Sequence, residues 1–173
     1  MSEMLLALKR GLNKALEWMV IASMALLTVD VLWGVLSRYV LGAQTRWTEE
    51  LATALMIWVA LLGAALAFGE RAHLGVDYFV KKLDPAAQQW TDALVYVLVL
   101  GFVLSVMLYG GGLLVTKTLD AGQVLPALGW KKGYVYMAVP VSGIFMVVYA
   151  LEGILESVTG ERERGTTRWK SKL

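Results

Sequence analysis

The sequence of 173 residues contains no cysteine and a single histidine, His73. Without cysteine the chain has no disulfide, no thiolate metal site, no iron–sulfur cluster and no thiol nucleophile. One histidine excludes a haem held by two histidines of this chain, and also a zinc site that needs two or three. We therefore expect neither a bound metal nor a cofactor, and we expect that the protein is not an enzyme.

Charged residues are also scarce. They make up 17% of the chain, whereas a soluble protein usually carries about 25%. Hydrophobic residues reach 58% and the mean hydropathy is +0.61. The net charge of +2 is too small to indicate binding to nucleic acid. The apolar residues are concentrated in long runs without Asp, Glu, Lys or Arg, which is typical of an integral membrane protein.

These runs predict four membrane-spanning helices. The shortest has 19 residues, which at 1.5 Å per residue give a helix of about 29 Å, close to the thickness of a bilayer core. The first predicted span is interrupted only by Asp30. The predicted spans are residues 18–37, 51–69, 93–116 and 133–151. We expect one all-α membrane domain over residues 1–173.

The segments outside the spans have their own patterns. Residues 1–17 are amphipathic, so this segment either lies along the membrane surface or prolongs the first span. A second amphipathic helical segment is expected in the loop 70–92 on the same side of the membrane. Residues 161–173 are expected to form a flexible tail.

The distribution of lysine and arginine predicts the orientation. Eleven of these residues lie in the two termini and the second loop, and five lie in the first and third loops. The positive-inside rule then places both termini in the cytoplasm, with the chain crossing the membrane four times.

Asp30 is the most unusual residue of the first span. A charge at bilayer depth costs at least about 2.5–3.5 kcal/mol, so the side chain should face protein or water. Ser23, Asp30 and Ser37 are seven residues apart and lie on one helical face with Gly34, followed by Arg38. One interpretation is a proton or cation relay, and the other is a buried contact with another helix or subunit. The second is favoured, because no other span carries a carboxylate.

A charged and aromatic motif precedes the second predicted span. Thr48 is expected to cap this helix, with Glu49 and Glu50 in the first turn, where carboxylates complement the helix dipole. Arg46 and Trp47 stand directly beside them. The motif is therefore also a candidate docking surface for a partner at the outer membrane face.

A second charged motif follows the second span on the cytoplasmic side. His73 and Asp77 are four residues apart and would pair on a helical turn, next to Arg71. Since no nucleophile accompanies them, an interfacial ion pair is the expected role. Pairs of small residues four apart, such as Ala60 with Ala64 and Gly63 with Ala67, indicate faces for close helix packing.

Several of these motifs together resemble the small membrane subunit of tripartite ATP-independent periplasmic (TRAP) transporters. The similarity covers most of the chain, and its specific part runs from Arg38 to Asp77. The motifs that carry it are residues 38–39, 47–52, 63–65 and 70–77. The resemblance implies a scaffold subunit in the bacterial inner membrane that works with a large membrane subunit and a periplasmic binding protein. Together they would import an organic acid, such as sialic acid or a dicarboxylate, by sodium-coupled symport.

The resemblance also implies where the charged motifs lie. Arg46, Glu49 and Glu50 would lie on the side of the binding protein, and Arg71, His73 and Asp77 would fix the subunit interface on the cytoplasmic side. An alternative function is a stand-alone, four-span, proton-coupled exporter that uses Asp30. The long second loop and the biased distribution of positive charge argue against it.

Overall fold

The computed structural model describes residues 3–40, 42, 45–70 and 85–159. Within these residues the chain is helical, apart from the connections and an isolated antiparallel bridge between Val124 and Lys131. The elements are α1 Glu3–Val40, α2 Arg46–Gly69, α3 Pro85–Phe102, a π-helical segment Val103–Gly110, α4 Gly111–Asp120, α5 Lys132–Tyr136 and α6 Ala138–Thr159.

Four stretches of these helices are long and apolar enough to cross a membrane. They are Arg10–Val40, Arg46–Gly69, Ala93–Asp120 and Lys132–Leu155, here called the first to fourth spans. The prediction of an all-α membrane fold with four spanning helices is therefore confirmed. Each uncharged run that the sequence pointed to lies inside one of these stretches.

The N-terminal segment is continuous with the first span. Helix α1 runs without interruption from Glu3 to Val40, which favours the interpretation that its first part prolongs the span. At 1.5 Å per residue, 38 helical residues extend over about 57 Å, well beyond a bilayer core. The expected surface segment around residues 71–84 and the tail 161–173 lie outside the described residues.

The third and fourth spans are both irregular, and their irregular parts are in contact. In the third span the π-helical segment ends at Gly110, and a Cβ atom added to Gly111 would lie 2.8 Å from Val139 Cγ1. In the fourth span the helix is interrupted at Met137, because Pro140 has no N–H to donate to the carbonyl four residues earlier. The backbone of Met137 itself stays in the helical region, at φ −59° and ψ −20°, so the kink expected at Pro140 remains a prediction.

The four spans form an open row rather than a closed bundle. The first span packs extensively on the second, the second on the fourth, and the fourth along the third. The inner helices of the row, the second and fourth, contribute more buried residues than the outer two. Large apolar side chains on the outer helices therefore remain exposed, among them Leu26, Leu32, Val97, Leu98 and Phe102.

All four spans meet at the end that carries the two termini, here called the terminal end. Leu62, Phe68 and Tyr149 form the centre of a buried apolar cluster there. The Tyr149 hydroxyl donates a 2.8 Å hydrogen bond to Asn13 Oδ1, which ties α1 to α6. The rings of Phe68 and Tyr96 meet edge to face with centroids 6.0 Å apart, so the third span joins the same cluster.

The opposite end, here called the loop end, carries the connection between α1 and α2 and a hairpin loop, residues 121–131. Gly122, at φ +62°, terminates α4, and its N–H donates to the Leu119 carbonyl at 3.0 Å. The chain then returns antiparallel: Leu125 N–H donates to Trp130 O at 2.8 Å, and Lys132 N–H to Gln123 O at 2.9 Å. The loop is therefore an ordered hairpin between the third and fourth spans.

Candidate functional site

The structure places six of the nine predicted site residues near the loop end. Arg46, Trp47, Glu49 and Glu50 lie in the first two turns of α2, and Arg38 lies in the last turn of α1. Asp30 lies two turns before Arg38 on the same helix. The other three, Arg71, His73 and Asp77, lie outside the described residues.

Helix α2 begins one turn earlier than the sequence motif suggested. The prediction that Thr48 caps this helix is wrong: Thr45 is the N-cap, with extended backbone at φ −85° and ψ 113°, and Arg46 is the first helical residue. Thr48 is buried inside the first turn, and its hydroxyl donates to the Thr45 carbonyl at 2.7 Å. Thr45 offers the same short hydroxyl side chain three residues earlier, so residue type alone did not distinguish the two positions. Glu49 remains in the first turn.

Glu50 makes the clearest polar contact at the loop end. Its Oε2 accepts hydrogen bonds from the N–H groups of Ala127 at 2.9 Å and Leu128 at 3.0 Å, and its Oε1 lies 3.1 Å from Ala127 N. These residues belong to the hairpin loop and are 77 and 78 positions away in sequence. Glu50 was expected to complement the helix dipole or to contact a partner, and the structure instead directs its carboxylate to this chain's own loop.

The conformation of the hairpin loop explains why it offers N–H groups to an acid. Its tip is a single turn closed by Gly129, whose N–H donates to the Leu125 carbonyl at 2.7 Å and whose φ of +68° ends the turn. The first N–H groups of such a turn have no partner within it. Pro126 has no N–H, which leaves those of Ala127 and Leu128 for Glu50. The pair Pro126 and Gly129 is the sequence signal that could have indicated this turn.

Asp30 lies in the seam between α1 and α2. It is only 5% exposed, and neither carboxylate oxygen has a hydrogen-bond partner among the described residues. The neighbouring face brings the helices together, because a Cβ atom on Gly34 would lie 3.4 Å from Thr48 Oγ1. Ser37, further along the predicted polar stripe, is also buried. The stripe therefore packs against α2 rather than lining a path through the chain.

Two clefts open at the loop end on either side of α2. The cleft between α1 and α2 has a volume of about 300 Å³, and Asp30, Arg38 and Thr48 are part of its lining. The cleft between α2 and α5 has a volume of about 500 Å³, and Arg46 and Lys132 stand at its wall. Glu49 lines both. The predicted docking residues thus surround the start of α2.

The small residues that form pairs four apart on α2 lie together on one face of the helix. Ala60, Ala64 and Ala67 are exposed, and they follow one another at helical spacing along one side of the helix. A Cβ atom on Gly63 would meet no other atom within 4 Å, so this position does not contact a neighbouring span. The described part of the chain therefore leaves the predicted small-residue face of α2 without a helix packed on it.

No group of three or more His, Cys, Asp or Glu side chains that could hold a metal ion occurs among the described residues. The geometry of the loop end instead consists of exposed charges, two clefts and an ordered hairpin. Such an arrangement can contact another protein.

Comparison with known proteins agrees with the motifs in the sequence. A family model described as tripartite ATP-independent periplasmic transporters, DctQ component, matches residues 26–160. A protein of Haemophilus influenzae assigned as a TRAP transporter small permease protein is 30% identical over 155 residues, which are 90% of this chain and 94% of that protein.

Two relatives with named substrates are also similar. The sialic acid TRAP transporter small permease protein SiaQ of Vibrio cholerae is 29% identical over 151 residues, 85% of this chain and 83% of SiaQ. The sialic acid TRAP transporter permease protein SiaT of Haemophilus influenzae is 27% identical over 141 residues, which are 79% of this chain but only 22% of SiaT. These relatives are transporter permeases and not enzymes, which confirms the expectation that this chain has no enzymatic activity.

Proposed function

The chain belongs to the DctQ component family of tripartite ATP-independent periplasmic transporters, and we propose that it is the scaffold subunit of a complex that imports an organic acid. Family membership and four apolar helices make it a multi-pass protein of the inner membrane. In the proposed complex a large membrane subunit carries the substrate, coupled to sodium. A periplasmic binding protein delivers the substrate to the loop end.

The observation that carries this proposal is the open row of spans with exposed packing faces. The exposed side of α2 carries Ala60, Ala64 and Ala67, and small residues of this kind allow another membrane helix to approach closely. A row of four helices covers only one side of each outer helix. A large membrane partner would cover the remaining apolar faces.

The similarity to SiaT supports a large membrane partner. Its matching segment is only 22% of that protein, so in SiaT a segment like this chain is joined to a much longer polypeptide. We propose that the present chain binds a separate large membrane subunit and so forms the contacts that a joined polypeptide would form within one molecule. The substrate is then an organic acid, with sialic acid and a C4-dicarboxylate as the first compounds to test.

The alternative function, a stand-alone exporter that depends on Asp30, rests on the buried carboxylate without a partner. Two features favour the scaffold. The carboxylate is 5% exposed and lies at the wall of one cleft in the seam between α1 and α2, and no other span carries an acid within its apolar run. A proton relay through this chain would therefore lack a second group to receive the proton.

Affinity purification from the native host in a gentle detergent, followed by mass spectrometry, tests the proposal. We expect a large membrane protein to accompany the chain in near-equal amount. Ala64→Leu should abolish this association, because the longer side chain holds the two helix backbones apart. Ala64→Ser keeps a small side chain at the same position and should leave the association intact. Recovery of the chain alone as a stable homodimer would contradict the scaffold function.

Uptake by proteoliposomes that contain both membrane subunits tests the transport step. Radiolabelled sialic acid and succinate are added outside with the host's binding protein, with and without a sodium gradient. Uptake that requires the binding protein and the inward sodium gradient is expected for one of the two compounds. Uptake that proceeds equally well without sodium would contradict sodium coupling.

A further inference from the structure

Glu50 connects the start of α2 to the tip of the hairpin loop, close to the place where α2 contacts α5, the helix that follows the loop. Its carboxylate accepts three short N–H contacts from Ala127 and Leu128, so the second turn of α2 is connected to the tip of the hairpin loop. Ala127 is exposed, so water could hydrate its N–H if the carboxylate were absent. Leu128 is only partly buried, so neither N–H needs the carboxylate as a fully buried group would, and the specific effect of the contact is to fix geometry.

The hairpin loop presents a surface of its own. Val124 and Trp130 are about half exposed, and Lys131 is exposed beside them. The loop's internal hydrogen bonds make it rigid, but they do not set its angle to α2. The segments that flank the loop, α4 and α5, contact each other, and α5 also contacts α2. The base of the loop is therefore held by packing, and its tip contacts α2 through Glu50.

We infer that Glu50 is a positioning residue that holds the hairpin loop at a fixed angle to α2 and so shapes the surface on which the periplasmic binding protein docks. This inference rests on the proposed function, and it changes the role of one predicted contact residue. Glu50 acts through the loop, and the exposed loop residues, including Val124 and Trp130, face the binding protein together with Arg46 and Glu49.

Three substitutions distinguish a positioning role from direct recognition through charge. Glu50→Gln removes the charge but keeps an acceptor at the position of Oε2, which receives both Ala127 and Leu128. Glu50→Asp keeps the charge but is one methylene too short to reach the loop. Glu50→Ala removes both. If Glu50 positions the loop, Glu50→Gln should weaken docking only slightly, whereas Glu50→Asp and Glu50→Ala should weaken it strongly. If a partner recognises the charge, Glu50→Asp should weaken docking slightly and Glu50→Gln strongly.

The complex of both membrane subunits in proteoliposomes provides two measurements. The first is uptake against the concentration of the host's binding protein, with the substrate found in the uptake assay above. The half-saturating concentration should rise severalfold for Glu50→Asp and Glu50→Ala, with the maximal rate unchanged. The second is hydrogen exchange of the Ala127 and Leu128 amides, which should become about tenfold to a hundredfold faster in the same variants, as expected when hydrogen bonds to a charged acceptor are lost.

Asp120→Asn is the matched control. This exposed acid ends α4 at the loop end, and its replacement removes the same charge without touching the contacts of Glu50. Both measurements should stay at the wild-type value. Near-wild-type docking by Glu50→Asp with weak docking by Glu50→Gln would overturn the inference, as would faster exchange with no change in half-saturation. If uptake by the wild-type complex does not depend on the binding protein, the proposed function itself is wrong. This result is distinct from the variant results above, which overturn only the inference about Glu50.

Discussion

Asp30 is a buried acid whose environment within the chain is incomplete. A polar group buried without a partner costs about 1–3 kcal/mol, and a charged one costs more. Both carboxylate oxygens are in that situation within the described residues. We expect the missing hydrogen-bond donor to come from a group of the large subunit that enters the cleft lined by Asp30 when the complex forms. The position then contributes to assembly and not to the stability of the isolated chain.

Asp30→Leu should therefore act in opposite directions on the two species. In the isolated chain the substitution should leave thermal stability unchanged or raise it, because it removes an unsatisfied polar group beside a cleft of about 300 Å³ that has room for the side chain. In the complex with the large subunit it should lower the unfolding temperature. Thermal unfolding of both species in the same detergent measures the difference.

Thr28→Val serves as the comparison for this experiment. Thr28 is exposed on α1 and its hydroxyl donates to the Met24 carbonyl of its own helix at 2.9 Å, so this change should affect neither species strongly. A clear loss of stability of the isolated chain with Asp30→Leu would mean that the acid has its partner within the chain. If the isolated wild-type chain transports a substrate and Asp30→Asn abolishes that transport, the result would instead support the exporter.

At the scale of elements, α2 is the helix on which the others are arranged. At its terminal end Gly69 admits the ring of Tyr149, at its start Thr48 receives Gly34, and Glu50 receives the hairpin loop. Its remaining side carries exposed alanines. This helix therefore has contacts on several sides within the chain and still presents one face for a partner.

Gly69→Ala should destabilise the chain by about 1–3 kcal/mol, the usual cost of overpacking. The added Cβ atom would lie 2.7 Å from the Tyr149 ring, which is buried and held by its hydrogen bond to Asn13. Equilibrium unfolding of the isolated chain in mixed micelles measures the effect. Gly63→Ala lies in the same helix and meets no atom within 4 Å, so it should be neutral or slightly stabilising. Equal losses from both substitutions would contradict the packing described for Gly69.

Sequence patterns predicted the elements far better than their contacts. Each uncharged run is at least about as long as a bilayer core is thick, so the presence of all four spans follows from the sequence. The start of α2 was misplaced by one turn because Thr45 and Thr48 are chemically equivalent caps. The partner of Glu50 could not be predicted, because it lies 77 residues away and depends on how the third and fourth spans bring the hairpin loop to α2.

At the scale of the whole molecule, the two ends of the row differ in construction. The terminal end is closed by a cluster to which all four spans contribute, including the hydrogen bond between Asn13 and Tyr149. The loop end has two clefts and a hairpin fixed through Glu50. This difference suits the proposed scaffold. The packed terminal end would hold the four spans together, and the loop end would remain accessible to a soluble protein.

That assignment requires the loop end to face the periplasm, which the charge distribution predicts and which can be measured directly. Because the chain contains no cysteine, a single introduced cysteine is its only thiol. Gln123→Cys lies on an exposed residue of the hairpin loop, and Ser171→Cys lies in the C-terminal segment. A membrane-impermeant maleimide added to spheroplasts should label Gln123→Cys and should label Ser171→Cys only after lysis. The opposite pattern would place the hairpin loop in the cytoplasm, where no periplasmic protein reaches it, and the docking function of this surface would be wrong even though the fold would remain the same.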